Sequence, residues 1–249
     1  MVYTASTVLL MNEHLSGPEE WLNERDKELD SLCDRLYVAK KPVDEFISKL
    51  HGRQQRIDSS SVLNHVKTVA KVSENLATAY FSDMELPNEI RYNVRVCYYS
   101  ALLHEALPFS GLVYESISFM TDKSVADAVC AITPMANEPF SIRLEHLVNR
   151  VNRCGPSSQI VKLADLIHDG IMYDQLVDAG GIVGLFDSVQ RFVVELEMFH
   201  RSFTDISKNP QINSLINKFP ALIDKLYNYM KRVDSANAKK SSKTRKRVV

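Results

Sequence analysis

The chain is predicted to be all-α, and three observations carry that expectation. Only eight Gly and nine Pro interrupt 249 residues. Apolar residues recur at spacings of three and four over most of the chain, which is the period of a helix with one buried face. A sustained apolar/polar alternation of the kind a half-buried strand needs is missing from the sequence.

The elements follow in order. Ser16-Gly17-Pro18-Glu19-Glu20 combines a capping serine, an early proline and first-turn carboxylates, so a helix carrying Trp21, Leu22, Leu29, Leu32 and Leu36 is expected to start there. Pro42 is expected to begin a second helix with Val43, Phe46, Ile47 and Leu50 on one face. After Asp58 and three serines, Val62 to Tyr80 reads as a helix whose core face is Val62, Val66, Val69, Val72, Leu76 and Ala79, with His65 in its first turn. Met84 to Glu89 reads as a loop, Ile90 to about Glu105 as a helix, and Pro108 as its stop. Beyond Asp169 come Gly180-Gly181, a long amphipathic helix from about Leu185 to Phe203, and two helices punctuated by Pro210 and Pro220 that end near Val233.

The expected organisation is an N-terminal helical extension (1–41), a core (42–180), C-terminal helices packed on it (181–233) and a disordered basic tail (234–249). That tail holds Lys239, Lys240, Lys243, Arg245, Lys246 and Arg247. Because the formal net charge of the whole chain is −1, the rest is mildly acidic and offers no basic groove for nucleic acid. The tail itself either contacts nucleic acid or an anionic surface, or keeps the C-terminus soluble. Cys33, Cys97, Cys130 and Cys154 lie far apart with no C-x-x-C spacing, so free, buried thiols in a cytoplasmic protein are expected. No apolar run approaches membrane-spanning length.

Chemistry concentrates in a few places. Ile160-Val161-Lys162-Leu163-Ala164-Asp165-Leu166-Ile167-His168-Asp169 puts one carboxylate, Asp165, on an otherwise apolar turn, where it needs a cation or a donor. Upstream stand His65, alone in an apolar-periodic segment, and the adjacent pair His104-Glu105. Two imidazoles and two carboxylates on separate helices form a reasonable ligand set for a divalent metal.

The order His, then His-acid, then Asp resembles the HD superfamily of metal-dependent phosphohydrolases, and more narrowly the hydrolase domain of the RelA/SpoT alarmone family. That domain opens H-R-x-Q-x-R-K-D-G-x-P-Y-x-x-H, similar to His51 through His65 here, with no gap from Asp58 to His65. The family's H-D-x-x-E-D-T block and its V-x-x-x-V-x-x-x-T helix align with His104 through Thr133, and its V-K-L-A-D-x-x-x-N with Val161 to Asp169. The similarity covers roughly residues 45 to 175. It implies an HD-type helical bundle with added N- and C-terminal helices, and His65, His104, Glu105 and Asp165 as metal ligands.

By the same resemblance the ion would be Mn²⁺, with Fe²⁺, Zn²⁺ or Mg²⁺ as alternatives, and the substrate a phosphorylated nucleotide such as the guanosine 3′-pyrophosphate ppGpp. Substrate contacts are expected from Arg56, Arg53, Lys162 and Arg143. The departures are specific. Glu105 replaces the Asp of the His-Asp pair, Pro108 and Phe109 fall where the family has an acidic pair that orients water, Ile57 replaces a Lys, and Asp169 an Asn. Proton transfer is therefore assigned to Glu105 or Asp169, with Glu105 either a ligand or acting beside the ligands. His168 and Tyr173 are read as packing residues, with pocket wall as the alternative. The alternative to an enzyme is a catalytically inactive module that binds a nucleotide or a protein as a regulator.

Overall fold

The computed structural model describes residues 18–107, 113–135, 137–180 and 185–245, with side chains from 22 to 237. Its elements are α1 (Pro18–His51), α2 (Val62–Phe81), α3 (Pro87–Leu103), α4 (Tyr114–Met120), α5 (Lys123–Ile132), α6 (Phe140–Cys154), α7 (Pro156–Asp178), α8 (Leu185–Ser202), a 3-10 turn (Ile206–Lys208), α9 (Pro210–Ile216) and α10 (Phe219–Arg245). Among the described residues there is no strand, only the isolated bridge Gln55–Ser61. The fold is all-α.

Helices α2, α3 and α7 pack on one another and form the centre. Val66, Val69 and Ala70 of α2, Cys97, Ala101 and Leu103 of α3, and Ile160, Val161, Leu163 and Ala164 of α7 are fully buried there. Helix α1 covers α3, α5 bridges α3, α7 and α6, and α10 lies against α8 and α7. Each central helix thus buries more than one face. This is why α7 reads apolar nearly all round near Asp165 rather than as a single stripe.

Two expectations about helix ends are corrected. Pro42 lies inside α1 and does not begin a helix. Proline removes one N–H and so frees the carbonyl of Val38, but Val38 and Pro42 are both exposed, and water can satisfy that carbonyl. The expected 41/42 boundary therefore falls within one continuous helix. Helix α1 stops at Gly52, where a Cβ would stand 2.6 Å from the Ser48 carbonyl oxygen. The final helix runs to Arg245 and does not end near Val233. No Gly or Pro follows Pro220, so the sequence holds no strong helix breaker there, and its Ala and Lys residues favour the helix. Lys246 and Arg247 lie outside the described residues.

The cysteines are free, with Cys33 and Cys97 buried as expected, Cys130 partly buried, and Cys154 exposed at the end of α6. No helix among the described residues is long and apolar enough to cross a membrane.

Candidate metal centre

Three elements deliver the cluster. Ser61 caps α2, its side chain accepting from the Asn64 amide, and this fixes the first turn in which His65 sits. His104 is the residue that closes α3, where the helix ends and its ring can swing toward the neighbouring helices. Asp165 lies mid-way along α7, one turn from Lys162 and one from Asp169.

These residues converge. His65 Nε2 and His104 Nε2 are 3.2 Å apart, and Asp165 Oδ1 lies 3.4 Å from the first and 3.6 Å from the second. Ligands held at about 2.0–2.2 Å around a tetrahedral ion stand about 3.3–3.6 Å from one another, which is this triangle. The other atoms of the three groups are already engaged. His104 Nδ1 donates to the Ala101 carbonyl at 2.6 Å, so in the neutral ring the Nε2 lone pair faces the cluster. Asp165 Oδ2 accepts from Lys162 Nζ at 2.9 Å, and His65 Nδ1 lies 3.0 Å from His168 Nδ1. Both histidines are buried. The donor set therefore fits a divalent ion bound by His65, His104 and Asp165.

Burial and the neighbouring charges act in opposite directions on the three groups. Burial works against an ionised Asp165, yet Lys162, His104 and His65 hold its carboxyl well below the usual carboxylate range. Burial also opposes a charged His104, but Asp165, Glu105 and the Ala101 carbonyl push it up to about 9. Desolvation lowers His65 despite Asp165.

The remaining expected residues divide into those at the cluster and those away from it. Glu105 is adjacent, its Oε1 3.7 Å from His104 Nε2 and its side chain 34% exposed, but its carboxylate is outside the ligand triangle. A pocket beside the cluster is lined by His104, Glu105, Arg143, Lys162, Asp165 and Asp169, together with Phe140. Arg143 lies 5.8 Å from the Phe140 ring centre. Lys162 is buried between Asp165 and Glu195. Arg56 donates to Asp169 Oδ1, and although burial opposes its charge, Asp169 raises its pKa. Arg53 is exposed on the turn after α1 and does not line the pocket. Pro108 and Phe109 lie outside the described residues.

Two contributors escaped the sequence reading. His168, expected to pack or to line the pocket, forms with His65 and Asp169 a second group of close ligand-type atoms. Glu195 of α8 was passed over, although Val193-Val194-Glu195-Leu196 has the same pattern that marked Asp165, a carboxylate within an apolar turn. Tyr173 stacks on Phe192 at 4.6 Å and packs. Neither a protein-family model nor a curated protein matches the chain.

Proposed function

We propose that the chain is an HD-type, metal-dependent phosphohydrolase acting on a phosphorylated nucleotide, with a guanosine 3′-pyrophosphate of the ppGpp kind as the substrate toward which the resemblance points. The observation that carries this reading is the triangle of His65 Nε2, His104 Nε2 and Asp165 Oδ1, beside a pocket that also holds the Glu105 carboxylate and the Arg143 guanidinium. The loop before α2 adds support. Ser59, the one non-glycine with positive φ among the described residues, at 67°, stands where the resembled pattern has its glycine.

Bound at His65, His104 and Asp165, a divalent ion, Mn²⁺ before Fe²⁺, Zn²⁺ or Mg²⁺, would polarise a phosphoryl oxygen and give a water hydroxide character near neutral pH. The chain supplies the rest. Glu105, partly exposed beside His104, takes the proton from the attacking water. Asp169, on the same pocket, is the other acceptor, with Arg56 holding its Oδ1. Arg143 offers its planar fork to a phosphate from the pocket wall. In the reaction the water oxygen bonds to phosphorus, the ester bond to the 3′ oxygen breaks, and that oxygen leaves as a hydroxyl carrying the proton that Glu105 took from the water.

The Arg56–Asp169 pair favours a second reading, a regulator that binds a nucleotide or protein without turnover, because the Arg56 guanidinium is already neutralised. Metal analysis of protein purified without chelators, followed by a phosphate- and pyrophosphate-release screen over nucleotides, separates the two. Metal with hydrolysis supports the enzyme. Metal and calorimetric nucleotide binding with no turnover favours the regulator, and absence of metal after loading with Mn²⁺, Fe²⁺, Zn²⁺ and Mg²⁺ overturns the metal site.

A further inference from the structure

Lys162 is buried, and an ammonium removed from water needs anionic partners. It has two, Asp165 Oδ2 at 2.9 Å on its own helix and Glu195 Oε1 at 2.7 Å on α8. Phe199, one turn beyond Glu195 on α8, places its ring centre 5.6 Å from the same ammonium. Helix α8, which lies beyond the segment of family resemblance, thus supplies both a counter-charge and an aromatic face to a cation of α7.

Resting on the metal reading above, we infer that Glu195 is a positioning residue for the metal ligand Asp165, acting through Lys162. With Oδ2 of Asp165 held by an ammonium that is itself anchored from α8, Oδ1 is the oxygen turned to His65 and His104. The anchor fixes the rotation of the carboxylate. It also shares the lysine charge between two acids, so that Asp165 keeps more of its own charge for a divalent ion. Remove the charge of Glu195, and Lys162 draws on Asp165 alone, competing with the ion for the same carboxylate.

Wild-type full-length protein, Glu195→Gln and Glu197→Gln test this, each titrated with Mn²⁺ by the paramagnetic resonance of the free ion and loaded with Co²⁺ for its visible spectrum. Glu197 is the control, being on the same helix and losing the same charge, but bonded to Tyr227 at 3.0 Å. Glu195→Gln is expected to bind Mn²⁺ about 10- to 100-fold more weakly with an altered cobalt spectrum, and Glu197→Gln to behave as wild type. Wild-type affinity and an unchanged cobalt spectrum in Glu195→Gln overturn the inference, as does equal weakening in both variants. A wild type that takes up neither ion overturns the metal reading itself, an outcome distinct from a failure confined to Glu195. Should Glu195→Gln not fold, Glu195→Asp, which keeps the charge and shortens the arm, is expected to change the cobalt spectrum, and an unchanged one overturns the inference.

Discussion

The Arg56 guanidinium donates to Asp169 Oδ1 across 113 residues of sequence, tying the loop before α2 to the turn of α7 that follows Asp165. Arg56 is only 14% exposed and Asp169 24%, so the pair is shielded from solvent. Arg56→Ala should cost about 1–3 kcal/mol in urea unfolding, because it leaves a partly buried carboxylate without its cation. Asp169→Asn removes that charge, so the double variant should be less destabilised than the two single effects added together. Strict additivity would show that the pair is not coupled. If Arg56 also meets substrate phosphate, Arg56→Ala weakens nucleotide binding by roughly 1.5–3 kcal/mol in calorimetry.

Glu105→Gln distinguishes the two roles open to this residue. Its carboxylate stands outside the ligand triangle, so the variant should keep nearly full metal occupancy and, on the proposed phosphohydrolase reading, lose nucleotide hydrolysis by about 10²-fold or more, the scale of a lost acid–base group. Parallel loss of metal, measured by elemental analysis, would instead make it a ligand.

Ser59 holds φ at 67°, a region that costs an L-residue roughly 1–2 kcal/mol and glycine almost nothing. Its neighbours secure the turn, Asp58 Oδ1 accepting from both the backbone N–H and the hydroxyl of Ser60. Ser59→Gly should therefore raise stability by about 0.5–1 kcal/mol after glycine's larger unfolded-state entropy is subtracted. A lower melting temperature in the variant would contradict this account of the loop.

Burial pushes Tyr92, Tyr99 and Tyr173 up to about 12. In the unfolded chain a tyrosine ionises near 10, so between about pH 10 and 12 the unfolded state has lost protons that the folded state retains. Stability contributed by these rings is complete below pH 10 and is lost as pH rises toward 12. Phenolate absorbance of the folded protein should therefore rise in two stages, the second coinciding with alkaline unfolding. A single transition near 10 without unfolding would contradict it.

What the sequence disclosed depended on whether one segment contained its own contrast. Asp165 stands out because its immediate neighbours are apolar, and His65 and His104 because each interrupts a buried face. Glu195 offered the same contrast, but its partner Lys162 is 33 positions away, and no local rule pairs them. His168 is similar: its meaning comes from His65, 103 positions earlier, which α2 brings to within 3.0 Å of it. Helix ends were hardest where a local signal met a tertiary or solvent effect. Pro42 carries a start signal that a solvent-facing carbonyl makes unnecessary, and the basic composition after Val233 suggests disorder while no Gly or Pro there breaks the helix.

Lys162, Asp165, His168 and Asp169 all project from α7 within two turns, so their relative placement is set by the pitch of one helix and not by loops. Their tolerance to chain-length change should differ accordingly. A residue added in the turn between His51 and Ser61 lengthens a connector before α2. A residue inserted between Lys162 and Asp165 rotates every later side chain by about 100°, carrying Asp165 off the face it shares with His65 and His104 while α7 itself remains helical.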